Sequence, residues 1–128
     1  FTAIGALVGH GGIVVFDDTV DMARMARYAM EFCAVESCGK CTPCRIGTQR
    51  SYEIVERISQ GQGKLEELDT LLDLANEMER ASNCGLGQTA TVPIRDMLKH
   101  FRTEVETHIR SGSCPTGVCE MTKEAEKV

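Results

Sequence analysis

The sequence has no tryptophan, and aromatic residues fill only 5% of its 128 positions, so few rings are available for stacking on nucleic-acid bases. It also lacks a basic surplus. Fourteen Lys and Arg stand against nineteen Asp and Glu, a net charge of −5, which gives no positive field for a phosphate backbone or an anionic membrane. No uninterrupted apolar run approaches the roughly 18 residues of a membrane-spanning helix. The greasy opening from Phe1 to Phe16 is broken by His10 and by Gly5, Gly9, Gly11 and Gly12, and it has no basic start of the signal-peptide kind. Phosphate-binding glycine loops, catalytic triads and paired-acid motifs are missing too. Taken alone, the chain is expected to perform no substrate chemistry, to bind no nucleic acid and to insert in no membrane.

What is present is cysteine, seven residues in all, within a chain of ordinary 42% hydrophobic content that is long enough for one core. Seven is odd. Three of the seven, Cys38, Cys41 and Cys44, follow one another at two-residue gaps, which suits metal binding in a reducing compartment, the cytoplasm, better than a disulfide framework.

The start at Phe1, inside apolar Gly-rich sequence, reads as the start of a fragment. Ile13-Val14-Val15-Phe16 is a β-branched run between Gly12 and Asp17, the pattern of a short buried strand. One strand makes no sheet, so residues 1–16 are expected to finish a preceding domain. From Asp18 or Thr19, as cap, Met22, Met25, Ala26, Ala29, Met30 and Cys33 recur at helical spacing to about Val35. A second helix is expected from Thr42 and Pro43 through Ile54, Val55 and Ile58 to Gly61 and Gly63. Leu65, Leu68, Leu71, Leu72, Ala75 and Met78 form a third stripe, and Ile94, Met97, Leu98, Phe101 and Val105 a fourth after Pro93. The expected fold is therefore all-α: a four-helix bundle over 17–110, preceded by a short β segment and followed by a loose tail over 111–128.

The loop Glu36-Ser37-Cys38-Gly39-Lys40-Cys41-Thr42-Pro43-Cys44-Arg45-Ile46-Gly47 can wrap three corners of a cubane cluster. Cys44 falls in the first turn of the second helix, where exposed N–H groups and the helix dipole favour an anionic cluster. Lys40 and Arg45 add positive charge. A bacterial ferredoxin would carry its next Cys at the position of Thr48, so the fourth ligand must come from elsewhere. Cys84, in the tight loop Asn83-Cys84-Gly85-Leu86-Gly87, is the candidate, because an antiparallel hairpin of the second and third helices returns it to the first three cysteines. The rival is a structural zinc site in a helical interaction module. Zinc motifs usually present two separated pairs, whereas three cysteines at two-residue gaps plus a remote fourth favour a [4Fe–4S] cluster. Cys33 reads as a small buried hydrophobe. Cys114 and Cys119, around Pro-Thr-Gly-Val, are too few alone for a second site, and His10, His100 and His108 read as structural or solvated.

ESCGKCTPCRIG followed by NCGLGQTATVP resembles the C-terminal iron–sulfur domain of the NADH-binding flavoprotein subunit of respiratory complex I, NAD-reducing hydrogenases and soluble NAD-dependent formate dehydrogenases. The likeness runs from GHGGIVVFDD to about His108. It implies that Cys38, Cys41, Cys44 and Cys84 hold a [4Fe–4S] cluster taking single electrons from an FMN that exchanges hydride with NAD on an upstream domain. It also implies that residues 1–16 end a ubiquitin-like domain. The implied partners are that upstream FMN/NADH domain and the iron–sulfur and catalytic subunits of a multi-subunit oxidoreductase. The wording GHGGIVVFDDTVDMARMARYAMEFC is most similar to the β subunit of soluble formate dehydrogenase. Hydrogenase and respiratory NADH dehydrogenase are the alternatives, and an independent ferredoxin is disfavoured by the start at Phe1.

Overall fold

The computed structural model describes residues 1–121. After a single 3-10 turn at Thr2–Ile4, six helices follow among the described residues: α1 (Met22–Glu36), α2 (Thr42–Ser59), α3 (Glu66–Ala81), α4 (Gly85–Thr89), α5 (Val92–His100) and α6 (Arg102–Ser111). The all-α bundle expected from the sequence is present, and α1 against α2 is its most extensive helix pair.

Helix α1 begins later than the sequence suggests. Asp21, not Asp18 or Thr19, is the N-cap, and its Oδ1 accepts from the Arg24 N–H at 2.9 Å. Asp17 is used locally instead, accepting from the backbone N–H and hydroxyl of Thr19, a side-chain turn that competes with helix. The buried stripe of α1 is Ala23, Ala26 and Met30. Small residues here let α2 approach closely with Ile54, Val55 and Ile58, all buried. Cys41, not Thr42, occupies the N-cap of α2, with Pro43 in the first turn, where a missing N–H is harmless. Helix α3 opens on Glu66, Glu67 and Asp69, which suit the positive end of the dipole, and buries Leu68, Leu71, Ala75 and Met78. Among the described residues no helix is long and apolar enough to cross a membrane.

Two expectations change. Residues 13–16 form no strand, and Ile13, Val14 and Val15 are 74–87% exposed; a lone run has no edge among the described residues to pair its N–H and C=O groups with. The fourth helix is also divided. Phe101 leaves helical geometry at φ −126° and ψ 26° and separates α5 from α6. The redirected α6 buries Val105 and His108, so the apolar stripe survives while its axis does not. Residues 112–121 lie back on the bundle, with Arg24 Nη1 donating to the Val118 carbonyl at 3.0 Å; the remainder of the expected tail, 122–128, falls outside the described residues.

Core burial dictates the response to truncation. Leu71 is fully buried and Leu65 is 38% exposed at the start of α3. Leu71→Ala is expected to destabilise the fold by about 2–5 kcal/mol and Leu65→Ala by less than about 1 kcal/mol, read as shifts of the denaturant midpoint. Equal shifts would mean that α3 does not carry the core.

Candidate iron–sulfur site

Helix α1 ends at Glu36, and residues 37–41 cross to the start of α2. Gly39 makes this crossing possible at φ 74°, a conformation that disfavours other residues. The loop is tied down from both sides. Arg45 reaches back from α2 so that its Nη1 donates to the Gly39 carbonyl at 2.7 Å and its Nη2 to Thr42 Oγ1 at 3.3 Å. On the inner side the Ser37 hydroxyl accepts from the Gly39 N–H and lies 3.3 Å from Cys44 Sγ. Cys38 is exposed, Cys41 half-buried and Cys44 buried. All are free thiols.

The α2–α3 hairpin brings the 82–87 loop to this end of the bundle. The Asn83 N–H donates to Cys41, and this is the chief influence lowering that thiol below its ordinary pKa; the Cys44 N–H and, more weakly, the Arg45 charge act in the same direction. The shift is in the direction of the thiolate, the form that binds iron. Gly87 sits so close that a Cβ on it would come within 2.9 Å of Cys44 Cβ and 2.5 Å of Ser82 Cβ. Cys84, exposed between these neighbours, caps the N-terminus of α4. The structure therefore gathers the backbone around all four sequence-selected cysteines at one end of the bundle.

The donor set fits an iron–sulfur cluster. Four free thiols come from two segments that touch, and the pKa of one is lowered by backbone N–H groups. The Ser82 hydroxyl is buried and has no hydrogen-bond partner among the described residues; being close to Gly87 and Cys44, it is a donor left over for a sulfur acceptor. Cys33 behaves differently. Burial, with the nearby Cys44 charge, pushes its thiol up, and it packs against the core, as its place on the apolar face of α1 suggests.

Sequence reasoning missed Ser37 and Ser82, for which no local motif exists. His108, read from the sequence as structural or solvated, has its Nε2 3.3 Å from Asp21 Oδ2 in a fully buried pair.

Comparison with known proteins agrees with this geometry. The family model described as the NADH-ubiquinone oxidoreductase-F iron–sulfur binding region matches residues 24–108. The NADP-reducing hydrogenase subunit HndC of Solidesulfovibrio fructosivorans is 42% identical over 117 residues, 91% of this chain and 24% of that protein. An NADH-quinone oxidoreductase subunit of Mycobacterium tuberculosis (strain ATCC 25618 / H37Rv) is 42% identical over 113 residues, 88% of this chain and 25% of that protein. Among solved structures, an NAD+-reducing [NiFe]-hydrogenase in the H2-reduced state superposes with a TM-score of 0.72 at 40% identity, covering 75% of this chain and 17% of that one. The chain spans about a quarter of the length of the curated relatives it matches.

Arg45 offers a test of the electrostatics, since it is folded over the cysteine loop. Arg45→Glu is expected to lower the reduction potential while iron content is kept, because a cation beside the site favours the more negative reduced form. A redox titration followed by EPR reads this directly; an unchanged or raised potential would contradict the placement.

Proposed function

Because the chain belongs to the NADH-ubiquinone oxidoreductase-F iron–sulfur binding region family, we propose that Cys38, Cys41, Cys44 and Cys84 are the ligands of one [4Fe–4S] cluster relaying single electrons in an NAD-dependent oxidoreductase. The observation that supports the ligand set is the closeness of Asn83 and Gly87, on either side of Cys84 in sequence, to Cys41 and Cys44, which has no local motif behind it. When bound, such a cluster supplies reversible one-electron transfer. The chain's own residues supply the rest. The first turn of α2 and the Asn83 N–H direct positive dipole at the sulfurs, Lys40 and Arg45 add charge, and the Arg45 and Ser37 hydrogen bonds hold the loop rigid between redox states.

In the longer protein, FMN and NAD sit on a domain upstream of Phe1, and residues 1–16 are the end of a ubiquitin-like domain joined to the cluster domain at 17–110. The exposed apolar side chains of Ile13, Val14 and Val15 support that reading, because they are the side chains a sheet of such a domain would cover. Partner iron–sulfur and catalytic subunits complete the path, in the cytoplasm, where thiols stay reduced. Formate is the reductant proposed, on the wording GHGGIVVFDDTVDMARMARYAMEFC. The relatives named for NADP-reducing hydrogenase and NADH-quinone oxidoreductase mark the alternative, the same relay fed by hydrogen or delivering to a quinone.

The relay is tested in the intact complex that contains this chain. Formate-driven NADH formation is expected in the native protein and is expected to be lost in Cys41→Ala, while NADH oxidation by a one-electron dye at the flavin and formate oxidation by a dye at the catalytic subunit persist. NADH formation surviving in Cys41→Ala would remove the relay role; formation driven by hydrogen and not by formate would transfer the module to a hydrogenase.

A further inference from the structure

At the opposite end of α1 four side chains from three parts of the chain converge: Asp21 at the helix start, His108 on α6, and Cys114 and Cys119 beyond it. Their ligand-type atoms all lie within 4.8 Å of one another. Asp21 and His108 are fully buried. We propose that these four residues form a tetrahedral site for a divalent cation of the zinc type, separate from the iron–sulfur cluster, that fastens the 112–121 segment to the bundle.

The separations match those of a tetrahedral zinc site. Zinc bonds of about 2.0 Å to N or O and about 2.3 Å to S, arranged tetrahedrally, put an N and an O about 3.3 Å apart and an S and an O about 3.5 Å apart. The observed His108 Nε2 to Asp21 Oδ2 separation is 3.3 Å, and that of Cys114 Sγ to the same oxygen is 3.5 Å. The histidine is already oriented as a ligand. Its Nδ1 lies 2.9 Å from the Glu104 carbonyl, which can only accept, so Nδ1 carries a proton and Nε2 is the ring nitrogen turned toward the other ligand-type atoms. Nε2 is buried and makes no hydrogen bond among the described residues.

The surroundings fix the other ligands in the same way. Asp21 uses Oδ1 to cap α1 through the Arg24 N–H, leaving Oδ2 for the site. Glu104 also accepts from the Met22 N–H at 2.6 Å. Cys114 has the Thr116 hydroxyl 3.4 Å from its sulfur. Two thiols, one imidazole and one carboxylate select zinc over magnesium or calcium, which take all-oxygen shells. Helix α1, 15 residues long, separates this site from the cysteine loop by about 22 Å at 1.5 Å per residue, so the two centres share no ligand.

The test uses the intact subunit, with zinc and iron counted separately by mass spectrometry, so that the answer does not depend on the cluster. About one zinc per chain is expected, falling at least about tenfold in Cys119→Ser and in Cys114→Ser with iron unchanged. If either variant fails to fold, X-ray absorption at the zinc edge of the native protein decides: two sulfurs at about 2.3 Å and two N/O at about 2.0 Å are expected. Native protein without zinc after incubation with zinc sulfate and desalting would overturn the proposal, leaving a plain His–Asp ion pair. A Cys114–Cys119 disulfide, zinc retained in both folded variants, or a shell of only sulfur or without sulfur would overturn it equally.

Discussion

Gly87 has no side chain where its backbone meets Cys44 and Ser82, and the cysteine end of the molecule is organised around that contact. With a Cβ only 2.9 Å from Cys44 Cβ, the loop after α3 would have to withdraw, taking the Asn83 N–H from Cys41 and carrying Cys84 away from the other three cysteines. The hairpin beneath is matched to the task. Helix α2 has 18 residues and α3 has 16, about 27 Å up and about 24 Å back at 1.5 Å per residue. The core of Val55, Ile58, Leu68 and Leu71, all fully buried, fixes the two helices in register. Hydrophobic packing thus sets the position of the cysteine end, and backbone N–H groups lower the pKa of Cys41.

Much of this was legible because the signals are local. The cysteine spacing, Pro43 near a helix start and the leucine stripe of α3 each act within a few residues of the feature they predict. Misreadings fall where distant parts of the chain compete. Asp18 and Thr19 are acceptable caps, but Asp21 has a second partner in His108, 87 positions away in a fully buried pair, and the helix starts there. The stripe through Phe101 is continuous in sequence, yet the helix breaks at that residue, since periodicity reports which side chains are apolar and not whether the axis runs straight. The β-branched run at 13–16 has strand propensity and nothing to pair with among the described residues.

The same contrast separates the two groups of cysteines. Cys38, Cys41 and Cys44 announce themselves by spacing. Cys114 and Cys119 are two sulfurs without a third, and only folding supplies Asp21 and His108. Placed at the two ends of α1, the two proposed sites would give the bundle a metal at both poles: one for electrons, and one for holding the chain beyond α6 against the start of the first helix. Metal ligation would couple to folding in either case, because neither proposed set of ligands is assembled in the unfolded chain.

Cys84 is the residue on which fold and chemistry meet, being the one proposed ligand that rests on topology alone. Iron determination with EPR on the intact protein carrying Cys84→Ala measures both together. Loss of the cluster or its decay to a three-iron form, with a lowered thermal midpoint, is the predicted result. A full complement of four irons with an unchanged EPR spectrum would contradict the ligand set and the role assigned to the returning loop.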